Sequence, residues 1–124
     1  MRKTLRENKC PIIDRCNFNK QQRDYFWNIA MEERHTNIIR KDEVIQVQGV
    51  ECIVFQCSVN VCINRCEGRG DSHETIKPGM ARKVVGRMKK DLVVPDSNER
   101  KWKKLRFVKN YNIDDMKKLI KNYL

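Results

Sequence analysis

No apolar run in this 124-residue sequence is longer than a few residues, so no segment predicts a membrane-spanning helix. The opening stretch, MRKTLRENKC, starts charged but carries no apolar segment behind it, so no secretory leader is legible there. Aromatic residues are scarce at 7% while 35% of the chain is charged, which leaves material for only a thin core in one small domain with a tail. Repeats and low-complexity tracts are lacking too. So are the usual catalytic signatures: there is no nucleophile elbow, no phosphate-cradling glycine loop, no His-Glu-x-x-His helix and no Cys-x-x-Cys pair. His35 and His73 stand far apart, neither in a metal-ligand spacing. These absences predict a protein that is not an enzyme, with no cofactor and no small-molecule substrate.

What is present is sulfur. Four of the six cysteines fall between Val50 and Cys66, in VECIVFQCSVNVCINRC. Phe55, Cys57, Val59, Val61 and Ile63 alternate with Gln56, Ser58, Asn60 and Cys62, which predicts a half-buried strand over Val54 to Ile63. On such a strand Cys57 and Cys62 lie on opposite faces. Two uses of the cysteines stay open. Cys52-x4-Cys57 and Cys62-x3-Cys66 are loosely compatible with zinc, although zinc knuckles need tight turns that a strand does not offer. The other use is disulfides among Cys10, Cys16, Cys52, Cys57, Cys62 and Cys66, for which fifteen pairings exist and the sequence selects none. Disulfides need an oxidising compartment, so this reading implies a piece of a longer secreted protein. Reduced or metal-bound cysteines imply the cytosol.

Elsewhere the pattern is weaker. Residues 1–19 read as an irregular, polar lead-in. Lys20 to His35 predicts a helix with Tyr25, Phe26, Ile29 and Ala30 on one side, and Val44 to Val47 a short strand. The glycine-rich stretch after Cys66 reads as a linker, giving segments 1–66, 67–98 and 99–124, with Pro95-Asp96-Ser97-Asn98 as a turn. Residues 113–124 predict an amphipathic helix, capped by Asn112, with Asp114 and Asp115 in its first turn and Lys117, Lys118 and Lys121 after them.

Charge is uneven. Residues 1–66 hold 11 Lys/Arg against 8 Asp/Glu, and residues 67–124 hold 16 against 8, so most of the net +11 sits in the second half. That half should be drawn to polyanions. Arg100, Lys101, Lys103, Lys104 and Arg106 interleave with Trp102 and Phe107, a pattern able to pair phosphates and stack bases, or equally to form a solvated edge. Arg82-Lys83 and Arg87-Met88-Lys89-Lys90 offer cleavage positions to a basic-specific protease. Arg69-Gly70-Asp71 is the tripeptide that integrins read.

The run from Val54 to Cys62, followed by Cys66, resembles the last cysteine-bearing strand of the zona pellucida (ZP) domain, in its C-terminal subdomain. Asn8-Lys9-Cys10-Pro11-Ile12 is similar to a short upstream segment of that family, so the resemblance spans residues 8–66. It implies a mainly β fold: a partial immunoglobulin-like sandwich stapled by Cys10, Cys57, Cys62 and Cys66, with Phe55, Val59 and Val61 inward. A basic linker and a C-terminal amphipathic helix would follow. The implied role is an extracellular or cell-surface structural module, assembling with itself or with other ZP-like proteins into matrix or filaments. The alternative, from composition, is an intracellular basic protein that binds nucleic acid through residues 100–121, with or without a Cys-coordinated zinc.

Overall fold

The computed structural model describes residues 1–7, 9–40, 47–96, 98–99, 101–110 and 112–123, with the backbone alone at 36–40 and 71. It is not a β-sandwich. The described residues form five α-helices and two short strands: α1 (Arg2–Arg6), α2 (Lys20–Arg40), β1 (Glu51–Gln56), α3 (Val59–Gly68), α4 (Ala81–Asp91), β2 (Lys104–Lys109) and α5 (Ile113–Lys121). The strands pair in a two-stranded sheet. The amide of Lys103 donates to the Val50 carbonyl (2.9 Å) and that of Asn110 to the Gln56 carbonyl (3.0 Å), so both chains run in the same direction. A parallel pair needs a crossover, and here it carries two helices, which makes the architecture α/β rather than mainly β.

The chain forms two compact units, Met1–Cys52 with Val93–Leu105, and Ile53–Leu92 with Arg106–Leu124. In the first, the lead-in expected to be irregular opens with α1, whose Leu5 is buried. Arg2 and Arg6 of α1 both reach Glu33 of α2, at 3.3 and 3.0 Å, and Arg6 holds the carboxylate with two nitrogens. The hydrogen bond from Arg6, ahead of the opposing effect of burial, lowers the Glu33 pKa below the ordinary carboxylate range. Helix α2 begins where Asn19 Oδ1 accepts from the Gln22 amide (2.9 Å). It buries Ile29 and Ala30 as expected, but Tyr25 stays 61% exposed, one turn back on the outer side. The expected strand at Val44 to Val47 falls mostly outside the described residues, which resume at Val47.

In the second unit the predicted strand ends early. Only Glu51–Gln56 is extended, and Ser58 then caps α3, its hydroxyl accepting from the Val61 amide (3.3 Å). The alternation from Val59 to Ile63 misleads because the same residues also satisfy the helical period. Val59, Cys62, Ile63 and Cys66 fall at i, i+3, i+4 and i+7, all half-buried or buried, while Asn60, Asn64, Arg65 and Glu67 are exposed. Val59 and Val61 are therefore helical and Phe55 is 50% exposed, so the three do not form the inward face of a sheet. Helix α3 packs on α4, with Ile63 and Ala81 buried. Helix α4 occupies the stretch read as a linker. The C-terminal helix is present as α5, with a capping box in which Asn112 and Asp115 exchange hydrogen bonds (3.0 and 3.4 Å).

No described helix is long and apolar enough to cross a membrane.

Candidate phosphate-binding surface

Helix α4 is amphipathic in a way its linker reading concealed. Ala81, Val84, Val85 and Met88 recur at i, i+3, i+4 and i+7 and are buried or half-buried, while Arg82, Lys83, Arg87, Lys89 and Lys90 are exposed. Among the described residues none of these five cations has an ion-pair partner. Arg82 and Lys83 sit in the first turn, which contains no acidic residue, and Met80 provides no side-chain cap. Cations at that end oppose the helix dipole, so their fields and that of the free backbone amides add instead of cancelling. An anion is attracted there on both counts. The preceding residue, Gly79, has φ +84, a left-handed conformation suited to glycine, and its amide donates to the Glu67 carboxylate (3.2 Å).

The carboxyl ends of both strands belong to the same unit as α4. Arg65 of α3 donates to the Cys57 sulfur just beyond β1 (3.7 Å). Around the end of β2, Arg106, Lys109 and Lys118 line a cavity of about 260 Å³ together with Phe107, Leu119 and a single acid, Asp115. The Arg106 guanidinium lies over the Tyr123 ring at 5.3 Å, and its buried Nε has no hydrogen-bond partner among the described residues.

The stretch expected to bind polyanions is divided by the fold. Arg100 lies outside the described residues. Lys101 is largely buried in the first unit, its ammonium paired with Asp24, 4.0 Å from Glu99 and 4.8 Å above the Trp102 ring. Burial, then Lys20 and Arg23, lower its pKa. Its backbone carbonyl accepts from the Trp27 indole (3.1 Å). Lys101 is thus a structural cation. Lys103 and Lys104 are exposed, with Lys103 Nζ 3.3 Å from Gln48, and Arg106 belongs to the second unit. The cations of α4 escaped the sequence reading as a binding surface, although the apolar spacing of 81, 84, 85 and 88 was there to find them.

The remaining sequence candidates are placed as follows. All six cysteines are free thiols. Cys10 and Cys16 are exposed, Cys52 sits in β1 with its pKa raised mainly by burial, and Cys57, Cys62 and Cys66 gather around α3. Among the described residues no group of three or more Cys, His, Asp or Glu side chains is arranged to hold a metal ion. Arg69 ends α3, and Gly70–Ser72 form a 3-10 turn closed by bonds from the Ser72 amide and hydroxyl to the Arg69 carbonyl, so this tripeptide is wound rather than extended. The basic pairs proposed for proteolysis lie on a helix, where the backbone is not presented as an extended substrate. His73 Nδ1 accepts from the Ile76 amide (3.1 Å) and closes a turn.

No family model and no solved structure matches this chain. Over 96 residues it is 29% identical to an Arabidopsis thaliana protein described as transcription factor bHLH140; the match covers 77% of this chain and 9% of that much longer protein.

Proposed function

We propose that this chain is a phosphate-binding element of an α/β domain, taking the phosphates of a nucleotide or of a nucleic-acid strand on the cationic face of α4. The observation that carries the reading is the set of five exposed cations on one helix, two of them in its uncapped, acid-free first turn. Solvated lysines on a helix are ordinary. Cations concentrated where the dipole is already positive are not, because they cost helix stability unless an anion offsets them.

Topology adds a weaker argument. In α/β folds ligands sit beyond the carboxyl ends of parallel strands; β1 leads there into α3, and α4 packs on α3 within the same unit. Arg65, Arg106 and Lys109 add cations close to those strand ends. The Arabidopsis thaliana relative bears the name of a transcription factor, which agrees with a phosphate-backbone ligand, although this chain corresponds to a small part of it.

The test is a fluorescence titration of the chain with a labelled single strand, a labelled duplex and a labelled nucleoside triphosphate, each over a salt series. Saturable binding that weakens with salt is expected. For a strand, the log–log salt slope should fall by roughly 0.7 to 0.9 for each phosphate contact removed by Lys83→Glu with Arg87→Glu. Binding of the triphosphate but not the strands identifies a nucleotide site, and the converse identifies a nucleic-acid surface. Absence of binding to all three, or no loss in the double variant, sinks the proposal.

A further inference from the structure

Helix α3 begins with Ser58 at the N-cap, which puts Cys57 immediately before the cap and Cys62 at the fourth helical position. Those two positions are the ones whose side chains meet in a hydrophobic staple, where they fix the angle at which the chain enters a helix. Here both members are thiols. Each is half-buried, and Arg65, one turn further on, donates to Cys57 Sγ at 3.7 Å. The sequence reading set these cysteines on opposite faces of a strand. The cap at Ser58 brings them together instead.

We infer that Cys57 and Cys62 are a peroxide-responsive dithiol, a staple that oxidation converts into a disulfide across the β1–α3 corner. The Cys57 sulfur attacks hydrogen peroxide: its S–O bond forms, the O–O bond breaks, sulfur is oxidised to a sulfenic acid and the second oxygen leaves as water. The Cys62 sulfur then attacks the sulfenic sulfur: the S–S bond forms, the S–O bond breaks and the hydroxide departs as water with the Cys62 proton. In sum, two thiols and one peroxide give one disulfide and two waters. The Arg65 hydrogen bond to Cys57 Sγ assigns the first attack to Cys57, and Cys62, its pKa raised by burial first and then by the hydrogen bond with Cys57, serves as the second thiol. Cys66 lies four residues beyond Cys62 on the same helix, away from the capping corner, and is not part of the bridge.

The experiment exposes the intact chain to hydrogen peroxide, alkylates remaining thiols under native conditions and maps the cysteines by fragment-ion mass spectrometry. Expected is a joint loss of alkylation at Cys57 and Cys62 of at least about tenfold, with their peptide lighter by two hydrogens and restored by reductant. Cys66→Ser should retain the bridge. Cys62→Ser should instead trap Cys57 as a sulfenic acid, detectable with a dimedone probe. A bridge from Cys57 to Cys52 or Cys66 in the unsubstituted chain, or full alkylation of both thiols after peroxide, overturns the inference.

Discussion

Arg23 and Glu99, separated by 76 positions in sequence, form a two-pronged ion pair inside the first unit, with both side chains almost wholly buried. Arg23 Nε donates to Glu99 Oε2 at 3.2 Å and Nη2 to Oε1, while Nη1 serves the carbonyls of Asn17 (3.1 Å) and Val93 (2.8 Å). The Trp102 indole donates to the same carboxylate (3.1 Å). Every prong of the guanidinium is used, and α2 is thereby tied to the segment beginning at Val93. Arg23→Ala should destabilise the first unit by about 3–5 kcal/mol, because a buried carboxylate is left without its partner. Urea denaturation followed by tryptophan fluorescence measures this through Trp27 and Trp102.

The same pair sets an acid limit. The Arg23 hydrogen bond is the chief reason that Glu99 has its pKa depressed, and burial opposes it. A carboxyl depressed in the folded state contributes stability that is present above its unfolded pKa and lost as pH falls through the folded value. Urea midpoints taken at a series of pH values below the ordinary carboxylate range should therefore fall. Glu99→Gln should start lower at neutral pH and show a flatter decline, since of the two depressed carboxyls among the described residues only Glu33 remains.

Two glycines should respond oppositely to alanine. Gly86 lies mid-helix in α4, and a Cβ there meets nothing within 4 Å, so Gly86→Ala should stabilise by about 0.5–1 kcal/mol. Gly49 has φ +156, and a Cβ on it would lie 2.9 Å from Lys103 Cβ, beside the first ladder bond of the sheet. Gly49→Ala should destabilise. Thermal unfolding of the two variants side by side checks both signs.

The helix caps offer a graded pair. Asn112→Ala removes the bond to the Asp115 amide and should cost about 1 kcal/mol. Ser58→Ala removes a longer bond, 3.3 Å, and should cost less, nearer 0.5 kcal/mol. Native-state hydrogen exchange at the Asp115 and Val61 amides reports each loss locally.

Lys101 discriminates between the sequence-derived binding surface and the structural one. Its ammonium is held by Asp24 in the first unit, so Lys101→Gln should leave phosphate-ligand affinity within about twofold while lowering stability, because a cation already paired releases no counterion from a phosphate. An equal loss from Lys101→Gln and from charge reversal on α4 would return the site to residues 100–106.

How far the sequence discloses this arrangement depends on where the determining signal lies. Helix α5 is legible because its cap, acidic first turn and basic end are all local to residues 112–121. Helix α3 was hidden because one set of residues satisfies both the two-residue and the 3.6-residue period, and only Ser58 decides between them. The ZP resemblance rested on that same run, so the sandwich it implied fails with the strand. The Arg23–Glu99 pair and the Lys101–Asp24 pair were beyond reach: nothing near either residue announces a partner more than seventy positions away. The basic face of α4 was visible as apolar spacing but obscured by Gly68, Gly70 and Gly79 ahead of it, which read as linker.

The direction of the two strands has a kinetic consequence. An antiparallel partner can arrive through a tight hairpin, but β1 must wait until residues beyond Lys103 have left the ribosome before its first ladder bond can close. During that interval α3 and α4, adjacent in sequence, are free to pack on each other, whereas the edge of β1 with its outward Phe55 stays uncovered. Nascent chains stalled before β2 should accordingly recruit holdase chaperones to the segment around Phe55, and release them once synthesis passes Asn110.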